Sequence, residues 1–273
     1  MSEREQISEY TAFQVEEVQQ QPAPIDPDRP SWGIMPAIGV WLFSHLSPVP
    51  FILIWVLILQ QRGAVMPRTV EEVEAGSMAP EMVLGSVIAT AIGHILTLAL
   101  CWAVVTRFGS RPFLASLGWH WHGLSRSSRF FFVFGVVAIM FMINIALVQV
   151  LPEAEKTAFS EMLKSSNTVR IVVAAMAVLT APLVEEMVYR GMLYSPLRSR
   201  IGMSGSVMIV TVLFALVHIP QYSGAWASLV GLTILSFVLT IIRATTRSIL
   251  PCVAIHLVFN FVGSIFILRP VLQ

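Results

Sequence analysis

Six ionisable or amide side chains fall in three short stretches inside apolar parts of this sequence. "APLVEEMVYRGMLY" (181–194) carries Glu185, Glu186 and Arg190, "FALVH" ends on His218, and "HLVFN" holds His256 and Asn260. A carboxylate near a histidine can position a water molecule and take its proton. A second histidine and an asparagine can donate hydrogen bonds to an oxyanion as it develops. Together these groups would hydrolyse an acyl compound, most simply a peptide bond. Glu186 and Arg190 are four apart, so they share a helical face and can pair. Glu185 points about 100° away from Glu186 and is left for other partners. Phe214 and His218, and His256 and Asn260, are also four apart. No G-x-S-x-G nucleophile elbow occurs. Cys101 and Cys252 lie in apolar segments and read as small buried hydrophobes. The nucleophile is therefore sought in water.

The elements that would position these groups follow from composition. Of 273 residues, 56% are hydrophobic and 12% charged, against about 25% charged in a soluble domain. The expected fold is all-α, a polytopic transmembrane helical bundle with seven to eight membrane helices. Seven apolar stretches approach the ~20 residues needed to cross the hydrocarbon core: 34–60, 82–105, 129–151, 171–197, 203–219, 225–243 and 248–268. Pro48 and Pro50 are expected to kink or break the first, and Pro182 to bend the fourth one turn before Glu185. Depth can be measured from the Arg-rich end at about 1.5 Å per residue. Glu185 then lies about 20 Å deep, His218 about 24 Å, His256 about 13 Å and Asn260 about 20 Å. Three helices thus bring Glu185, His218, His256 and Asn260 to overlapping depths, which predicts one polar pocket. Charges at that depth are costly and are usually there for function.

Around this core, residues 1–33 are polar and acidic and read as a flexible tail with a turn or two of helix near Phe13–Val18. They do not read as a signal peptide. Residues 34–273 form the membrane domain, with the motifs in 170–268. Segment 153–169 is too polar to span, and its Phe159, Met162 and Leu163 share one face, as in a short interfacial helix. His45 and His94 read as interhelical hydrogen-bonding residues, and "WHWH" (119–122) as an interfacial aromatic loop. Arg107, Arg111, Arg126, Arg129, Arg198, Arg200, Arg243 and Arg247 fall in loops on one side. The positive-inside rule puts that side and the N-terminus in the cytoplasm, in a multi-pass protein of the cell membrane. A net charge of +1 gives no case for nucleic-acid binding.

E-E-x-x-x-R (Glu185–Arg190), F-x-x-x-H (Phe214–His218) and H-x-x-x-N (His256–Asn260), in this order and at this depth, resemble the CAAX-protease and bacteriocin-processing (CPBP, Abi) family. The resemblance implies an intramembrane endopeptidase of glutamic type acting on a membrane-associated peptide or lipidated protein. A prenylated C-terminal tail, a sorting tail or a peptide precursor would each fit. It further implies that Glu185 activates water with help from His218, that His256 and Asn260 stabilise the oxyanion, that Glu186 and Arg190 support the helix, and that no cofactor is needed. Three alternatives stay open. One is a metalloprotease with zinc on Glu185, His218 and His256. The others are a proton-coupled transporter and a non-catalytic immunity or scaffold protein.

Overall fold

A computed structural model describes residues 25–64, 79–121, 123–154 and 156–272. The helical turn expected near Phe13–Val18, residues 65–78 and His122 lie outside them. Every regular element among the described residues is helical. A chain that crosses lipid must satisfy its backbone polar groups internally, and a helix does so within each segment.

The elements are α1 (Ile34–Leu46), α2 (Val49–Gln61), α3 (Pro80–Thr106), α4 (Phe113–Leu117), α5 (Arg126–Val150), α6 (Ala158–Lys164), α7 (Asn167–Leu179), α8 (Ala181–Glu186), a π-helical segment (Met187–Leu193), α9 (Tyr194–His218), α10 (Trp226–Thr246) and α11 (Leu250–Leu272). Among the described residues six helical runs are long and apolar enough to cross a membrane: 34–61, 80–106, 126–150, 167–218, 226–246 and 250–272. The chain is an integral membrane protein with an all-α polytopic bundle.

The fourth run is 52 residues long, about 78 Å if straight and so more than twice a bilayer core. Gly202 resolves the excess. Its φ of 75° and ψ of −177° break the helix inside α9, a conformation open to glycine because it lacks a Cβ. The chain then folds back. Tyr189 and Phe214, nearly equidistant from Gly202, meet with ring centroids 5.1 Å apart. The two limbs match the separate spans expected at 171–197 and 203–219. The first span is interrupted at Ser47–Pro48, between α1 and α2. Helix α7 stops at Thr180, where φ is −116°, and α8 restarts with Pro182 in its first turn. Both breaks fall at or beside the expected prolines.

Helix α10 is central. Half of its apolar window is buried, against 17% for α5, and it packs on α5, α9 and α11. Glu153 Oε1 accepts from the Ser228 backbone N–H at 2.7 Å and so caps its first turn. Helix α6 fits the interfacial reading of 153–169. Thr157 and Ser160 form a reciprocal capping box, and Phe159, Met162 and Leu163 pack against Val83, Val87, Val169 and Val173.

The flexible tail expected through residue 33 is corrected for residues 25–33, which are packed. Asp28 and Trp32 are buried, and Trp32 Nε1 donates to the Met192 carbonyl at 3.0 Å. Asp28 joins Arg243 (Nη1–Oδ1 2.8 Å), Arg247 (Nε–Oδ2 2.9 Å) and Arg198 (Nε–Oδ2 3.2 Å). Arg107 Nη2 donates to the Ser31 carbonyl at 2.8 Å. Three of the basic loops named above therefore gather at one end of the bundle, around residues 25–33.

Candidate active site

A cavity of about 640 Å³ opens between the helices. Glu185 from α8, His218 from α9, and His256 and Asn260 from α11 all line it. The four residues that share a depth in sequence thus border one cavity in space. Glu186 and Arg190 lie behind that wall and are fully buried.

The two adjacent glutamates have different surroundings. Glu186 Oε1 accepts from Arg190 Nη1 at 3.0 Å and from His256 Nδ1 at 2.8 Å. Its Oε2 is buried with no hydrogen-bond partner among the described residues. The Glu185 side chain keeps 26% exposure, and its Oε2 lies 3.7 Å from His256 Nε2. The ring of His256 therefore stands between the two carboxylates.

Arg190 is held by more than Glu186. Its Nε donates to Thr240 Oγ1 at 3.2 Å, and its Nη2 donates to the Ser236 carbonyl at 3.0 Å and to Ser236 Oγ at 2.9 Å. The guanidinium also stacks 5.0 Å over the Phe214 ring. One side chain thereby ties the π segment to α10 and α9. The π segment itself is fully buried, and π turns often mark functional sites. Its Met192 and Arg190 carbonyls take donors from outside the helix, Trp32 Nε1 and Arg243 Nε at 3.2 Å.

His218 Nδ1 lies 2.7 Å from the Phe214 carbonyl. A carbonyl only accepts, so Nδ1 carries the hydrogen and the neutral ring keeps Nε2 as its acceptor. Phe214 packs on the same ring at 4.6 Å, which explains the four-residue spacing of the pair. Asn260 Nδ2 donates to the Ala177 carbonyl at 2.9 Å, just before the break at Thr180. One of its two amide hydrogens remains.

His45 and His94 make the interhelical hydrogen bonds expected of them, and both also line the cavity. His45 Nε2 lies 3.2 Å from Tyr189 Oη, which also accepts from Trp41 Nε1 at 3.1 Å. His94 Nδ1 lies 2.9 Å from Thr180 Oγ1. Tyr189, Gln221 and Tyr222 join the lining unannounced. Tyr222 stands four residues beyond His218, so the existing F-x-x-x-H spacing, extended by one turn, would have found it. Serine 236 and Thr240 gave no such signal, because small hydroxyls are common in membrane helices.

Among the described residues no three His, Cys, Asp or Glu side chains form a group able to hold a metal ion. Glu185, His218 and His256, the set that zinc would need, border one cavity without forming such a group.

Comparison with curated proteins and with solved structures returns no match. Comparison with family models returns one described as Type II CAAX prenyl endopeptidase Rce1-like, over residues 167–262. That segment contains Glu185, Glu186, Arg190, Phe214, His218, His256 and Asn260. Residues 167–262, which supply much of the cavity lining and the support behind it, are thus similar to the CAAX-protease family.

Proposed function

We propose that this protein is a glutamic intramembrane endopeptidase whose base is Glu185. The observation that carries the reading is that Glu185 and His218 bring acceptors to one cavity between apolar helices, while the neighbouring Glu186 is committed to Arg190 and His256. A water held between the Glu185 carboxylate and His218 Nε2 loses a proton to Glu185. Its oxygen attacks the scissile carbonyl carbon. His256 and the remaining amide hydrogen of Asn260 stand beside the oxygen on which charge develops. When the C–N bond breaks, Glu185 returns the proton to the leaving amine, giving a carboxylic acid and a free amine. Glu186 and Arg190 hold the ring of His256 and the helix in place.

The substrate is a membrane-associated peptide or lipidated protein, and a prenylated C-terminal tail fits the family description best. The Arg-bearing end of the bundle and residues 25–33 face the cytoplasm of the cell membrane, and the 219–225 loop faces away. A cysteine at 245 should then label from the cytoplasmic side of sealed vesicles and one at 223 from the other. The reverse pattern would invert the orientation.

The test of function is cleavage in proteoliposomes of fluorogenic C-terminal peptides, farnesylated, geranylgeranylated and unprenylated. At least one should be cut by wild type, and turnover should survive prolonged chelation. Loss on chelation, restored by zinc with about one metal bound per chain, would transfer the mechanism to a metallopeptidase.

A further inference from the structure

Among the candidate catalytic side chains on the cavity, acceptors outnumber free donors. Glu185 is acceptor-only when ionised, His218 keeps Nε2 as an acceptor, and one Asn260 hydrogen is spent on Ala177. Hydrolysis of a peptide bond needs donors at the oxygen that becomes negative. Tyr222 supplies a donor that no motif of the sequence contained.

Its placement follows from the helix before it. Helix α9 ends at His218, yet the Tyr222 backbone N–H still donates to the His218 carbonyl at 3.2 Å. The helical pattern is thus prolonged by one turn, and Phe214, His218 and Tyr222 follow one another at intervals of four on one face. All three line the cavity. The loop is fixed from the far side by α6. The Phe159 backbone N–H donates to the Gln221 carbonyl at 3.2 Å, and the Phe159 and Tyr222 rings meet at 5.4 Å.

The hydroxyl of Tyr222 makes no hydrogen bond to any described residue, although the side chain is half-buried. Burial first, and the Glu185 carboxylate second, push its phenol up to about 12. It therefore keeps its hydrogen at neutral pH, and Tyr222 and Glu185 line the same cavity.

We infer that Tyr222 is a hydrogen-bond donor of the reaction site, offering its phenol O–H to the scissile carbonyl oxygen as that oxygen becomes an oxyanion. The inference rests on the peptidase reading of the cavity. The hydrogen stays on Tyr222 throughout, and no bond to it is made or broken. A phenol held in an apolar site strengthens its hydrogen bond as charge accumulates on the acceptor.

Tyr222→Phe removes only the hydroxyl and keeps the ring against Phe159. Wild type, Tyr222→Phe and Glu185→Gln are compared in proteoliposomes on the peptides named above. The expected result for Tyr222→Phe is a fall in kcat of about a hundredfold or more, with KM and Tm unchanged. A peptide phosphinate mimicking the tetrahedral intermediate should lose affinity by a similar factor. Unchanged kcat in Tyr222→Phe beside an active wild type and a dead Glu185→Gln would overturn the inference and leave the peptidase reading intact. A change confined to KM would also overturn it, since the contact would then be made in the ground state alone. Failure of wild type to cut any peptide would remove the peptidase reading and this inference with it.

Discussion

The cavity wall and the clamp behind it use the same kinds of residue to opposite ends. On the wall, Glu185, His218 and Asn260 keep open hydrogen-bonding valences and border free space. In the clamp, Arg190 and Arg243 are fully buried, and every nitrogen of Arg243 that forms a bond does so within the protein: Nη1 to Asp28, Nη2 to Pro27 and Ser195, and Nε to the Arg190 carbonyl. The two regions meet through Glu186, whose Oε1 serves both Arg190 and His256, and through Phe214, which lines the cavity and lies under the Arg190 guanidinium. The difference teaches that burial of charge alone does not mark a catalytic group. An ionisable side chain whose partners leave it an unused lone pair facing a cavity is available for chemistry, whereas one enclosed by donors and acceptors orders the helices around it.

The sharpest test of this division is at the two ends of the wall–clamp axis. Glu185→Gln should reduce turnover by about 10²–10⁴-fold, the range expected for a general base, with little change in Tm, because the side chain has few protein partners to lose. Substantial turnover in purified Glu185→Gln would erase the distinction between the two glutamates. A large fall in Tm would move Glu185 into the clamp.

Next in size is the clamp itself. Arg190→Gln strands the buried carboxylate of Glu186 and should cost about 3–5 kcal/mol in stability, with activity falling as His256 loses its anchor. Glu186→Gln with Arg190→Gln should recover part of that loss. Recovery stays incomplete because Ser236, Thr240 and His256 also lose charged partners. A double-mutant cycle on Tm in detergent measures the coupling, and strict additivity would show that the pair does not interact.

The smallest expected effect lies farthest from the wall. Asp28→Asn weakens the contacts to Arg198, Arg243 and Arg247 without removing the side chain, and should cost about 1.5–3 kcal/mol, as for a hydrogen bond to a charged group. Turnover per folded molecule should stay close to wild type. A fall in kcat as large as that of Glu185→Gln would mean that the clamp acts on the chemistry and not on stability alone.

The sequence by itself determined the class of fold, the spans and four residues of the wall. Low charge and long apolar runs force helices, because lipid offers the backbone no partners. Spacing of four and a shared depth then bring Glu185, His218, His256 and Asn260 to one place, since rise per residue is fixed. Only the tertiary structure decided what each of them touches. It gave Glu186 to His256 as well as to Arg190, committed one hydrogen of Asn260 to Ala177, and wound Met187–Leu193 into a π segment. It also drew residues 25–33 onto three arginines more than 150 positions away. Those contacts join residues distant in the chain, and no local period encodes which partner a buried donor finds. Tyr222 lies between the two cases: its interval from His218 is in the sequence, but its unpaired hydroxyl beside the cavity exists only once α6 and α9 have packed around it.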